Sequence, residues 1–120
     1  PAFFAETADV GNSAVAKGCT ILGEVKNTVL SYGSSVGEGA EVSYSVVMPN
    51  AVIEAGARVS YAIVGEGCHV GKNAVVGGAP GSVDFDHWGI AVLGPHTTVP
   101  DGGVVEPKMM LGASGKEVRP

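Results

Sequence analysis

The chain has 120 residues, 45% of them hydrophobic and 16% charged, a balance that suits one ordered domain and excludes a disordered one. Its 19 glycines exclude a helical protein, since each weakens a helix by roughly 1 kcal/mol relative to alanine, and a net charge of −5 weighs against nucleic-acid binding. No apolar stretch reaches membrane-spanning length and no basic-then-apolar leader opens the chain, so no membrane partner is expected and the cytoplasm is the default location.

Residues 1–9 read as a connecting and capping segment. Within it, Phe3 and Phe4 either cap an open first coil, whose edge is otherwise an aggregation hazard, or dock on a neighbouring domain. From Val10 onward an aliphatic residue returns every five or six positions. The hexads are clearest at Val36 ("VGEGAE"), Val47 ("VMPNAV"), Ile53 ("IEAGAR"), Val64 ("VGEGCH"), Val70 ("VGKNAV") and Val99 ("VPDGGV"). Three positions after each aliphatic stands Gly39, Asn50, Gly56, Gly67, Asn73 or Gly102, residue types that tolerate the left-handed backbone of a tight corner. The next position is small, and Pro49, Pro95, Pro100 and Pro107 fall at corner positions where φ is fixed and a donor can be spared.

A longer period lies over the hexads. "VGNSAV" at Val10, "VKNTVL" at Val25, "VSYSVV" at Val42 and "VSYAIV" at Val59 align column by column, spaced by 15, 17 and 17 residues. Three short strands therefore make a coil of about seventeen residues, and the coils stack. The hexapeptide period is the signature of a parallel β-helix, and a triangular prism with six-residue faces is its left-handed form, an exception to right-handed crossovers. The predicted fold is all-β: a left-handed parallel β-helix of roughly five to six coils, with coils over 10–76, a loop insertion at about 77–91, further coils over 92–111 and a tail at 112–120. The inward ladder runs Val10, Val15, Ile21, Val25, Leu30, Val36, Val42, Val47, Ile53, Val59, Val64, Val70 and Val76, then resumes at Leu93, Val99, Val105 and Leu111.

Columns place the other notable residues. Cys19, Ser34, Ala51 and Cys68 share one column, so the two cysteines stand three coils apart, about 14 Å at a strand spacing of roughly 4.8 Å. A disulfide needs Cα atoms within about 7 Å, so two free thiols are expected. Asn12, Asn27, Tyr44 and Tyr61 share a corner column, read either as solvated turn residues or, for the two tyrosines, as part of a subunit contact. His69 points outward just before Val70, as the general base of a hexapeptide acyltransferase would. Together with His87 and His96 its spacing selects no metal. Asp84 and Asp86 flank Phe85 in the insertion, where nothing in the sequence desolvates either carboxylate for acid–base work. Phe85 and Trp88 have no coil interior to enter, and they fold back over a prism face or dock on another domain or subunit.

The runs "NSAVAKGCTILGEVKNTVL", "SVVMPNAVIEAGARVSYAIVGEGCHVGKNAVV" and "GIAVLGPHTTVPDGGVVEP" resemble the C-terminal domain of bacterial ADP-glucose pyrophosphorylase (glucose-1-phosphate adenylyltransferase) over nearly the whole chain. The resemblance includes a shortened first coil, the "MPNAVI" hexad and a loop closing on "GI-V-LG". It implies a parent enzyme that makes ADP-glucose and pyrophosphate from ATP and glucose 1-phosphate with Mg²⁺, in glycogen synthesis, on an N-terminal nucleotidyltransferase domain absent from this chain. It further implies that this β-helix packs on that catalytic domain, supports a homotetramer and helps form an effector site. No catalytic, metal or cofactor residue is then expected here. Segment 77–91 has no lysine or arginine, where some family members hold a phosphorylated effector with arginines. Weak or absent fructose 1,6-bisphosphate binding is therefore expected, with Arg58 and Lys72 the nearest candidate effector cations. Two alternatives stay open: a stand-alone hexapeptide acyltransferase using His69, and the β-helical tail of another sugar nucleotidyltransferase.

Overall fold

The structure, a computed structural model, describes residues 3–5, 8–78 and 89–112. Alternation of one inward aliphatic with outward neighbours gives strands of two or three residues, and left-handed corner residues turn the chain between them. Among the described residues, eighteen strands form three six-stranded parallel sheets, the three faces of a prism of six coils. Face 1 stacks β1 (Phe3–Phe4), β4 (Thr20–Ile21), β7 (Ser35–Val36), β10 (Val52–Ile53), β13 (His69–Val70) and β16 (Thr98–Val99). Face 2 stacks β2 (Asp9–Gly11), β5 (Glu24–Lys26), β8 (Glu41–Ser43), β11 (Arg58–Ser60), β14 (Val75–Val76) and β17 (Val104–Val105). Face 3 stacks β3 (Ala14–Val15), β6 (Val29–Leu30), β9 (Val46–Val47), β12 (Ala62–Val64), β15 (Ala91–Leu93) and β18 (Met110–Leu111). The fold is the left-handed parallel β-helix that the hexads predict.

The rungs are joined by bonds of ordinary length: the N–H groups of Thr20, Ser35, Val52 and His69 donate to the carbonyls of Ser34, Ala51, Cys68 and Thr97 in the next coil at 2.8–3.0 Å. Every inward aliphatic from Ile21 to Val105 is buried, whereas Val10, Val15 and Leu111, in the end coils, are only partly covered. Burial of each such side chain is worth about 1.5–3 kcal/mol, so the middle coils hold the structure and the ends are its weaker rungs. The corner prediction holds at each named position: Gly39, Asn50, Gly56, Gly67, Asn73 and Gly102 all have positive φ. Glycines immediately after an inward residue serve a second need, the close approach of coils. A Cβ on Gly65 would stand 2.5 Å from the Leu93 carbonyl oxygen, and one on Gly37 2.5 Å from the Ala55 backbone nitrogen.

Two boundaries differ from those expected. The first coil opens at Phe3, because β1 pairs in parallel with β4 as the first rung of face 1. Ala91 is a buried strand residue of β15, paired with Ala62, so it belongs to the coil after the insertion. The shortened coil is localised as well. From Ile21 to Val25 the chain takes four residues, where Val36 to Val42 takes six, so the missing pair is cut from one corner between faces 1 and 2. The interruption sits at the corner between faces 2 and 3. There Val76 to Leu93 takes seventeen residues where Val59 to Val64, one coil earlier, takes five. Among the described residues no helix is long and apolar enough to cross a membrane.

Candidate functional site

One inward ladder generates three outer surfaces of different chemistry. The outward column of face 2 reads Asp9, Glu24, Glu41, Arg58, Val75 and Val104. Lys26 Nζ stands 3.2 Å from Asp9 Oδ2 and 3.8 Å from Glu24 Oε1, and Arg58 Nε stands 3.0 Å from Glu41 Oε2. These are exposed pairs, worth at most about 1 kcal/mol each; Lys26–Asp9 and Arg58–Glu41 bridge adjacent coils, whereas Lys26 and Glu24 share strand β5. A groove of about 600 Å³ runs along this face beside Lys26, Tyr44, Arg58, Ser60 and Gly78. Both cations in it are already engaged by carboxylates, so it offers no ready anion pocket.

On face 1, His69 is outward and exposed, with Nε2 3.1 Å from Glu54 Oε1 of the preceding coil. A carboxylate there orients the imidazole, which is the arrangement a general base needs. His96 lies at the corner between faces 3 and 1 with φ 58°, over Gly67 of the coil before, where a Cβ would meet the imidazole ring. Among the described residues no three His, Cys, Asp or Glu side chains gather as a metal site requires.

Tyr44 and Tyr61 stack on each other at the corner between faces 2 and 3, ring centroids 5.0 Å apart and planes 2° from parallel. Below them in the same column, Asn12 Nδ2 donates to Asn27 Oδ1 at 2.7 Å. All four residues have φ between 46° and 49°. Phe3 and Phe4 remain 59% and 50% exposed, so as first-rung residues they leave apolar surface open at that end. Arg58 lies on β11, while Lys72 occupies the corner before β14 in the next coil, its backbone N–H bonded to Asp101 Oδ1 at 2.8 Å. The candidates Phe85 and Trp88, with Asp84, Asp86 and His87, lie outside the described residues.

Both cysteines are free and buried, as the register requires. Cys19 Sγ donates to the Ser31 carbonyl at 3.1 Å and Cys68 Sγ to that of Gly94 at 3.0 Å. Burial pushes the Cys68 thiol up from its ordinary value, outweighing hydrogen bonds from its surroundings that pull it down.

Two features escape a reading centred on inward positions. Inside the corner between faces 2 and 3, the hydroxyls of Ser13, Thr28 and Ser45 donate at 2.8 Å to the carbonyls of Gly11, Lys26 and Ser43. The same oxygens of Ser13 and Ser45 accept N–H groups of Thr28 and Ala62, at 3.1 and 3.3 Å. The signal lay in the aligned hexads, where the fourth column reads Ser, Thr, Ser, Ala. The second feature is face 3, whose outward column is Ala14, Val29, Val46, Ile63, Val92 and Met110, apolar at every rung.

Comparison with known proteins gives this fold a family. Residues 3–91 match the family model described as GlmU-like, C-terminal hexapeptide. Glucose-1-phosphate adenylyltransferase of Desulfitobacterium hafniense is 36% identical across 88% of this chain, and that of Bacillus thuringiensis 46% identical across 97%. The match spans 26% and 24% of those relatives, so the chain corresponds to about a quarter of their length. Among solved structures, the acetyltransferase domain of PglB from Neisseria gonorrhoeae superposes with a TM-score of 0.74 over 98% of this chain and 58% of its own, at 20% identity, a likeness of fold alone.

Proposed function

The chain belongs to the GlmU-like C-terminal hexapeptide family, and from that premise we propose that it is the structural and regulatory C-terminal domain of a glucose-1-phosphate adenylyltransferase. The observation that carries this reading is the 36–46% identity, over most of the chain, to relatives of that name. The parent reaction would join ATP and glucose 1-phosphate into ADP-glucose and pyrophosphate, with Mg²⁺, on a domain outside this chain. The β-helix is inert in that scheme. A continuous ladder of buried aliphatics makes it stiff, and a stiff prism can hold a catalytic domain and neighbouring subunits in fixed relation. Phe3, Phe4, Tyr44, Tyr61, Phe85 and Trp88 are the contact residues of this proposal, in a cytoplasmic homo-oligomer expected to be a tetramer. Any phosphorylated effector would meet Arg58 and Lys72, and the pairing of Arg58 with Glu41 argues for weak binding of a sugar bisphosphate.

A second reading rests on the His69–Glu54 pair: acyl transfer from an acyl-CoA, with His69 as general base. The two readings separate cleanly. The parent polypeptide, expressed from the coding sequence that includes the region upstream of Pro1, should release pyrophosphate from ATP only with Mg²⁺ and glucose 1-phosphate present. Residues 1–120 alone should release none. A parent that consumes UTP or GTP in place of ATP, or one that lacks a nucleotidyltransferase segment, overturns the proposal.

A further inference from the structure

Along face 2 the residue after each inward valine reads Gly11, Lys26, Ser43, Ser60 and Gly77. From the second rung upward these side chains shrink, while those before the inward valines stay long at Glu24, Glu41 and Arg58. The groove of about 600 Å³ is the space this leaves, and its size is that of small-molecule sites, about 300–1,000 Å³. It crosses four rungs, from Lys26 to Val75 and Gly77, about 14 Å at a coil spacing of roughly 4.8 Å. Glu24, Glu41 and Arg58 make one wall, and Tyr44 stands on the other, at the corner with face 3.

We infer that this groove binds a neutral oligosaccharide. Charge selects a neutral ligand. The charged side chains lining the groove, Glu24, Glu41, Lys26 and Arg58, sum to zero, and each cation stands 3.0–3.8 Å from a carboxylate. An anion must displace one of those carboxylates, and it approaches a chain of net charge −5. Hydrogen-bonding capacity selects a polyol. A guanidinium has five N–H donors and one carboxylate takes at most two in a fork, so Arg58 keeps donors to spare beside Glu41. The half-buried Ser43 hydroxyl has no hydrogen-bond partner among the described residues. Donors and acceptors therefore lie side by side along the groove, which suits hydroxyls that each give one hydrogen bond and take another. The aromatic wall selects a sugar among polyols. Tyr44 is 48% exposed although Tyr61 covers one face of its ring, so the other face and the rim are open. The stack holds that ring in place before a ligand arrives, a preorganised apolar surface for the C–H face of a pyranose. A length of four rungs admits more than one such ring in line. Tyr44 borders the groove and Tyr61 is not among its lining residues, which leaves Tyr61 for the contact proposed above.

The inference goes beyond the function proposed above and does not rest on it, since the pyrophosphate assay reads that function separately. Titration of the 120-residue chain with maltotriose, cellotriose, glucose and glucose 1-phosphate, followed by amide chemical shifts, tests it. Saturable shifts at Ser43, Tyr44 and Ser60 are expected with at least one trisaccharide. The dissociation constant should be about 0.1–1 mM, because an open groove covers less of its ligand than a closed pocket. Glucose should bind at least threefold more weakly, and glucose 1-phosphate no better than glucose. Tyr44→Asn should weaken trisaccharide binding at least fivefold. Asparagine already holds the same left-handed corner in this column at Asn12 and Asn27, so the variant keeps the fold. Tyr44→Phe retains the ring and should stay within twofold of the unaltered chain. Retention on insoluble amylose or cellulose assigns the ligand to a polysaccharide chain and its absence to a free oligosaccharide; either supports a groove that the titration has mapped. No saturable shift with either trisaccharide up to 20 mM overturns the inference. Shifts confined to faces 1 and 3, or an affinity that Tyr44→Asn leaves unchanged, overturn it as well. Tighter binding of glucose 1-phosphate than of the trisaccharides also overturns it and makes the groove an anion site.

Discussion

Tyr44 and Tyr61 hold φ at 49°, a left-handed backbone that glycine or asparagine usually supplies. Each pays roughly 1–2 kcal/mol in local backbone energy for that conformation, and the 5.0 Å stack between their rings returns about 0.5–1.5 kcal/mol. The surrounding rungs over-determine the corner and hold it in place. Cys68 is the second residue whose environment sets its chemistry. Its pKa is raised above the ordinary 9.0 by burial, so in the folded chain the thiol stays protonated where the unfolded chain would ionise. The unfolded state then binds fewer protons than the native one, and stability falls as pH climbs through 9 toward the folded value. Urea denaturation midpoints should be level from pH 7 to 8.5 and decline above 9, and Cys68→Ala should flatten that decline. An unchanged slope in Cys68→Ala would assign the decline to other groups.

At the scale of the elements, each face is a stack of short strands, and the corners decide how the faces meet. In the first four coils the step between faces 2 and 3 takes five residues, one fewer than the usual six, and a hydroxyl fills it in the first three. Ser45 Oγ gives its proton to the Ser43 carbonyl and takes one from Ala62 N–H. Ser45→Ala leaves that amide in a buried corner without the hydroxyl, a cost of about 1–3 kcal/mol. Ser45→Thr keeps the oxygen and should recover most of it in a chemical denaturation series. Loss below about 0.5 kcal/mol in the alanine variant would mean that the corner is held by its backbone alone. Much of this level is legible in the amino-acid sequence. Val25, Val42 and Val59 announce the inward register by period, and Asn50, Asn73 and Gly56 announce the corners by residue type. What periodicity hides is the outward side. Val29, Val46 and Ile63 sit directly before inward Leu30, Val47 and Val64, where an apolar pair reads as one rung and the exposed member escapes notice. The fifth column of the aligned hexads already holds Val29, Val46 and Ile63, and the strand pairing shows that this column is an outward face.

For the whole molecule, the structure is a prism with three faces and two ends, and each of five features has its own place on it. The acidic column and its cations occupy face 2, the His69–Glu54 pair face 1, the apolar column face 3, the tyrosine stack one edge and the phenylalanines one end. No single cleft gathers all five among the described residues. The candidate contacts are only partly readable in sequence for the same reason: Tyr44 and Phe3 are visible as unusual residues, but their separation on the prism is a product of coil geometry. On the function proposed here, the prism supports catalysis without performing it. Titration calorimetry of the 120-residue chain with acetyl-CoA tests that most directly, with acetyl transfer to a sugar amine followed in parallel. No heat of binding up to millimolar acetyl-CoA and no transfer is the predicted result. Micromolar binding, with transfer abolished in His69→Ala, would contradict it and make the prism an acyltransferase.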